Sequence, residues 1–200
     1  MILNEHLEML DIAKAALDAG VTVLQYRAKL GIVPEHLRAL RLLTSESDAL
    51  LIVNDDWRAA KTFDCDGAHL GPGDSGFSDV AEVRFNLPDA LVGLSCGTIE
   101  EITKANAADV DYLGIGSVFP TASKADAGAP IGIDGLRTLA AQTYLPVAAI
   151  GGITPRNVEE VRATGVAMAA VISAVAAARD PRGAASELVA AWGDGIRGES

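Results

Sequence analysis

The residues best suited to chemistry stand where apolar runs give out. Residues 21–24 form a short apolar, β-branched run that leads into Gln25-Tyr-Arg-Ala-Lys29. Alternation along an extended chain puts Gln25, Arg27 and Lys29 on one side, so an amide and two cations converge at a strand's end. A second run, residues 50–53, is followed by Asn54-Asp55-Asp56. One of these acids is placed to cap the helix beginning at Trp57, which leaves the other as a candidate metal ligand. The turn Pro72-Gly73-Asp74 presents a further carboxylate. The longest motif, Gly114-Ile-Gly-Ser-Val-Phe-Pro-Thr-Ala-Ser-Lys124, carries an apolar run into a loop with hydroxyls at Thr121 and Ser123 and the ammonium of Lys124, a set able to clamp phosphate. Gly151-Gly152 and Ile172-Ser173 follow the last two apolar runs, where glycine lets backbone amides approach a phosphate closely. Mg²⁺ usually takes one or two carboxylates plus phosphate oxygens. Asp55 and Asp74, with Gln25, Arg27, Lys29 and Lys124, therefore suit a diphosphate bridged by Mg²⁺, and the glycine cup suits a second, monophosphorylated substrate. Two phosphate subsites imply transfer between two substrates.

The elements that must position these groups alternate between strand and helix. Apolar residues at helical spacing predict a helix over 2–19 that stops at Gly20. Further helices are expected over 34–44, with Pro at the first turn, from Trp57, over 77–86, and from Thr98, where Glu101 three residues later makes a capping box, to 108. The remaining helices are predicted over 134–142, from Thr154-Pro155 to 163, and over 184–192. Strands are expected near Val21, Leu50, Gly67, Leu91, Val110, Pro146 and Val166, which makes seven. Strands apolar on both faces, alternating with helices, mark a parallel sheet covered by helices. Polar residues after nearly every strand select a β/α barrel over an open sheet, which would gather function at one switch point.

The totals bound the setting. Two hundred residues, half of them hydrophobic, form one domain over 1–200. A net charge of −11 argues against nucleic acid, whose partners cluster Lys and Arg. Cys65 and Cys96 are too few for a disulfide framework, so both read as structural thiols of a reducing compartment. No basic leader and no long apolar span appear, so the expected location is cytoplasmic, with no membrane partner. Homo-oligomerisation is left open. His6 and His36 read as solvated helix residues, His69 as orienting or packing, and Trp57 and Trp192 as helix packing.

Taken in order, Gln25-x-Arg-x-Lys29, Asn54-Asp55, His69-Leu-Gly-x-x-Asp74, Gly93-x-Ser95, Asp111-Tyr-x-Gly-x-Gly116, Phe119-Pro-Thr-x-Ser-Lys124, Ile150-Gly-Gly-Ile153 and Ile172-Ser173 resemble the motif series of the thiamin-phosphate synthase family. The resemblance implies a (β/α)8 barrel that couples hydroxymethylpyrimidine diphosphate to a thiazole phosphate, releasing diphosphate and, with a carboxylated thiazole, carbon dioxide. It assigns Gln25, Tyr26, Arg27, Ala28, Lys29, Asn54, Ser95 and Lys124 to the pyrimidine diphosphate, with Arg27, Lys29, Ser95 and Lys124 catalytic. Asp55 and Asp74 would hold Mg²⁺. Thr121, Ala122, Ser123, Gly152, Ile172 and Ser173 would contact the thiazole phosphate.

Three positions depart from the pattern. Pro72 stands for a usual Gln, Gly97 for a commoner polar residue, and Ser117 for a usual Pro. The alternatives are a thiazole tautomerase, which Ser117 disfavours because that enzyme places a catalytic His nearby, and a phosphometabolite-binding barrel without catalysis. Seven strands against eight helices predict a barrel lacking its first strand, and hence a start codon upstream of Met1.

Overall fold

The computed structural model describes residues 1–5, 8–123 and 128–193. Its elements alternate as β1 (Ile2–Asn4), α1 (Met9–Asp18), β2 (Val23–Arg27), α2 (Pro34–Ser45), β3 (Leu50–Asn54), α3 (Trp57–Thr62), β4 (Gly67–Leu70) and α4 (Val80–Asn86). They continue as β5 (Leu91–Cys96), α5 (Ile99–Asn106), β6 (Tyr112–Ile115), α6 (Gly132–Ala140), β7 (Val147–Ile150), α7 (Val158–Arg162), β8 (Met168–Ala170), α8 (Ser173–Ala176) and α9 (Pro181–Trp192). The eight strands are parallel and lie in sequence order. The Ile2 amide donates to Val171 O at 2.9 Å and closes the ring, giving the (β/α)8 barrel the sequence predicts.

The expected absence of a first strand is overturned. Ile2, Leu3 and Asn4 pair in parallel register with Gln25, Tyr26 and Arg27, so the segment read as one helix over 2–19 holds a strand and then a shorter helix. Three residues are too few for periodicity to decide, and Ile2 and Leu3 satisfy a helical stripe as well as an extended one. The helix expected from Thr154 begins instead at Val158. Asn157 folds back to accept from Thr154 N at 2.8 Å and to donate to Gly152 O at 3.0 Å, which holds the preceding turn out of the helix. The short helix α8 also lay outside the prediction.

Alternation divides each strand between core and axis. On β2, Leu24 and Tyr26 are fully buried, while Gln25 and Arg27 face the barrel axis and line its cavity. Burying the outward set under the helices supplies most of the hydrophobic stabilisation, at about 25 cal/mol per Å² of apolar surface. The capping box at Thr98 forms as expected, with Glu101 N donating to Thr98 Oγ1 at 3.2 Å and Glu101 Oε2 accepting from Thr98 N at 3.0 Å. At the N-terminal ends of the strands, away from the cavity, one device occurs twice. Asp66 accepts from Leu51 N and Arg41 at 2.7 and 3.0 Å, and Asp111 accepts from Val92 N and Arg84, both at 2.7 Å.

Candidate active site

A cavity of about 490 Å³ opens at the C-terminal ends of the strands. On one wall, β2 supplies Gln25 and Arg27, and β3 supplies Asn54 followed by Asp55. The Arg27 side chain makes no hydrogen bond or ion pair with the described residues, so its guanidinium is available to an anion. Of the two adjacent acids, Asp56 caps α3 through Ala59 N at 3.0 Å, and Asp55 is the one that reaches the cavity. Asp55 has φ of 69°, a left-handed conformation uncommon for residues other than glycine and tolerated best by Asn and Asp. Its amide donates to His69 O at 2.8 Å, which fixes the bend. Asp74 also lines the cavity, and its carboxylate accepts from Gly71 N at 2.5 Å.

The opposite wall carries Thr121, Ser123, Gly152, Ile172 and Ser173. Ser123 Oγ donates to Ser173 Oγ at 3.2 Å, joining the loop after β6 to the end of β8. Gly152 sits where a Cβ would meet Phe119 Cβ and Pro120 O, each at 2.7 Å, and its φ is +66°. Only glycine lets the backbone after β7 lie against that loop.

Between the walls, His69, Ser95 and Tyr112 line the floor. His69 Nε2 lies 2.9 Å from Ser95 Oγ, and His69 Nδ1 lies 3.0 Å from the Tyr112 hydroxyl. Burial pushes the Tyr112 phenol well above its ordinary pKa. His69, expected to orient or pack, is buried with both ring nitrogens in contact with hydroxyls. Tyr112 was missed as a site residue, although it stands in the Asp111-Tyr-x-Gly-x-Gly116 motif, because a tyrosine on a buried strand has the same local pattern as a core residue.

Other expected contacts are not brought to the cavity. Tyr26 points the opposite way: its hydroxyl lies 3.3 Å from His36 Nδ1 and accepts from Val33 N at 3.4 Å, so it braces α2 from inside the core. His36 is correspondingly half-buried rather than solvated. Ala28 packs on the core, and Ala122 is exposed. Lys29 stands past the strand end outside the cavity lining, with its amide held by both Glu5 carboxylate oxygens at 2.9 and 3.0 Å. Lys124 and His6 lie outside the described residues. Cys65 and Cys96 are free and buried, and burial raises their thiols to about 12 and about 11. That agrees with a structural role, since the thiolate is the reactive form.

No cluster of three or more His, Cys, Asp or Glu occurs among the described residues. Among them, no helix is long and apolar enough to cross a membrane.

Eight parallel strands around a polar cavity at their C-terminal ends define a β/α-barrel enzyme. The family model described as thiamine monophosphate synthase matches residues 1–175. The thiamine-phosphate synthase of Archaeoglobus fulgidus is 45% identical over 182 residues, spanning 90% of this chain and 84% of that protein. That of Pyrococcus furiosus is 43% identical over 178 residues, spanning 88% and 84%. The solved thiamine phosphate pyrophosphorylase from Pyrococcus furiosus superposes with a TM-score of 0.82 at 38% identity, over 94% of this chain and 91% of that one. A 3-hexulose-6-phosphate synthase from Salmonella typhimurium, at 16% identity and a TM-score of 0.74, shares the fold alone. The chain belongs to the thiamine monophosphate synthase family and is a transferase.

Proposed function

We propose that this chain acts as a thiamine-phosphate synthase, joining hydroxymethylpyrimidine diphosphate to a thiazole phosphate. The observation that carries the reading is one cavity with, on one wall, two carboxylates and a guanidinium that has no partner among the described residues, and paired hydroxyls beside a close-packed glycine on the other. In this reading Gln25, Arg27, Asn54 and Ser95 bind the pyrimidine diphosphate, and the family motifs assign Lys29 and Lys124 to the same group. Thr121, Ser123, Gly152, Ile172 and Ser173 hold the thiazole phosphate. The methylene C–O bond breaks with its electron pair passing to the departing diphosphate, and the thiazole nitrogen lone pair then forms the new C–N bond. A carboxylated thiazole also loses carbon dioxide. No general base is required, because the barrier is lowered chiefly by fixed positive groups around the leaving oxygens.

Asp55 and Asp74 fit Mg²⁺ as hard oxygen donors on neighbouring strand ends, with substrate phosphate and water completing the set. When bound there, the ion would neutralise diphosphate charge. A cytoplasmic setting belongs to the same proposal. Neither the tautomerase nor the inactive-barrel alternative gains support: Ser117 turns its hydroxyl to Phe119 O at 3.1 Å, and the missing strand that favoured an inactive remnant is present. The deciding assay incubates pure protein with both phosphorylated substrates and Mg²⁺. Thiamine phosphate and diphosphate in equal amounts are expected, and their absence under conditions where the protein is folded overturns the reading.

A further inference from the structure

The floor of the cavity holds two polar groups, His69 and Tyr112, to which the proposed reaction gives no role. His69 is 8% exposed, and its ring lies between Tyr112 and Ser95, with centroids 5.3 Å from the tyrosine ring at a 31° tilt. Space for this pair is made by two glycines. A Cβ at Gly93 would stand 2.2 Å from Tyr112 Cζ and 2.6 Å from His69 Nδ1, and one at Gly114 would stand 3.0 Å from His69 Cε1. Four strands thus shape one slot: β4 for His69, β5 for Gly93 and Ser95, β6 for Tyr112 and Gly114, and β2 for Gln25.

We propose that Tyr112 and His69 are positioning residues, forming a hydrogen-bond relay of fixed direction that aims the Ser95 hydroxyl into the cavity as a donor to an acceptor atom of the pyrimidine diphosphate. The proposal rests on the reading of Ser95 as a substrate contact.

The direction follows from counting donors. A phenol is a stronger hydrogen-bond donor and a weaker acceptor than an aliphatic hydroxyl, so of the two groups on the His69 ring it is Tyr112 that gives its proton and Ser95 that accepts one. The phenol proton therefore goes to His69 Nδ1, at 3.0 Å. A neutral imidazole that accepts at Nδ1 carries its proton on Nε2. That proton is donated to Ser95 Oγ at 2.9 Å. Ser95 has accepted its protein bond, so its own O–H is released toward the cavity it lines. A doubly protonated ring would donate to Ser95 in the same sense, so the orientation does not depend on titration of His69. In the opposite tautomer Ser95 would spend its proton on Nε2 and meet the substrate with lone pairs facing phosphate oxygens, an unfavourable pairing.

Two measurements test this. Long-range ¹H–¹⁵N correlation on the wild-type protein reads the tautomer of His69 directly. Protonation at Nε2 is expected, and a ring protonated only at Nδ1 overturns the relay whatever the activity. Kinetics of Tyr112→Phe, Ser95→Ala and the double variant read the consequence. Tyr112→Phe should lower kcat/KM for the pyrimidine diphosphate about tenfold while the KM for thiazole phosphate stays within about twofold. Added to Ser95→Ala, it should lower activity less than about twofold further, because the relay has lost its end point. Multiplicative losses, or equal rises in both KM values, overturn the relay. If the wild-type protein makes no thiamine phosphate, the functional reading fails separately, and the tautomer still decides the relay.

Discussion

Asp111 takes the amide hydrogen of Val92 at 2.7 Å on the face of the barrel opposite the cavity, and the same carboxylate oxygen receives Arg84 at 2.7 Å. Val92 is fully buried, so Asp111→Ala leaves a backbone donor without its side-chain acceptor. Such a loss costs about 1 to 3 kcal/mol, equivalent to a fall in Tm of about 2 to 12 °C for a domain of this size. The kcat should remain within about twofold, because the change lies at the far end of the strands. Thermal melting beside steady-state kinetics checks both halves. An unchanged Tm would mean that another group takes over the amide, and a collapsed kcat at normal Tm would mean that the two ends of the barrel are coupled.

Asp55→Asn tests charge with little disturbance of the backbone, since Asn also tolerates a left-handed φ. With Asp74→Asn beside it, the expected result is loss of Mg²⁺-dependent diphosphate release by about a hundredfold or more in each variant, with circular dichroism unchanged. Titrating Mg²⁺ while following diphosphate reads the effect. Turnover at the wild-type rate in either variant removes that residue from the metal assignment.

Gly152→Ala should act on one substrate. A Cβ there meets Phe119 and Pro120 at 2.7 Å on a backbone with φ of +66°, so the loop carrying Thr121 and Ser123 must move outward. The KM for thiazole phosphate should rise about tenfold or more, and the KM for the pyrimidine diphosphate should stay within about threefold. Similar rises for both would show that the glycine serves the whole mouth rather than one subsite.

Alkaline pH should loosen the fold through its two buried thiols. Cys65 and Cys96 rise from an ordinary thiol value of 9.0 to about 12 and about 11, chiefly through burial. Above about pH 9 the unfolded chain releases these protons while the folded chain keeps them, so the folded state binds more protons and stability falls as pH rises. Their stabilising contribution is complete below pH 9 and is lost as pH climbs through 11 and 12. Urea midpoints from pH 8 to 11 should decline, and the decline should be shallower in a Cys65→Ala, Cys96→Ala chain. Equal slopes would place the alkaline sensitivity elsewhere, with Tyr26 and Tyr112 the next groups to test, since burial raises both phenols.

Much of this architecture is legible in local pattern because a parallel strand covered on both faces leaves a continuous apolar run with a polar end. Residues 50–55 show it best: the apolar strand, the amide of Asn54 and the reach of Asp55 into the cavity all follow from order along the chain. The failures share a cause as well. Ile2–Asn4 is a strand through its partners on β2, which no local window contains. Tyr26 was placed with the site because its neighbours belong there, yet strict alternation sends its ring outward to His36. Tyr112 obeys the same alternation and turns inward. What identifies its role is the slot opened by Gly93 and Gly114, which is assembled across strands and is absent from any one of them.

The closing bond between Ile2 and Val171 sets the mechanical character of the whole ring. Each other neighbouring pair of strands is joined by a ladder with three or four residues in register, whereas one backbone bond crosses this junction among the described residues. The staves on either side are held together from outside, by α1 lying against α8 and α9. The barrel is therefore hooped rather than welded at this point. In hydrogen exchange, the amide of Ile2 should open at a lower free energy than those of β3 or β4, and loosening the α1–α9 contact should lower it further.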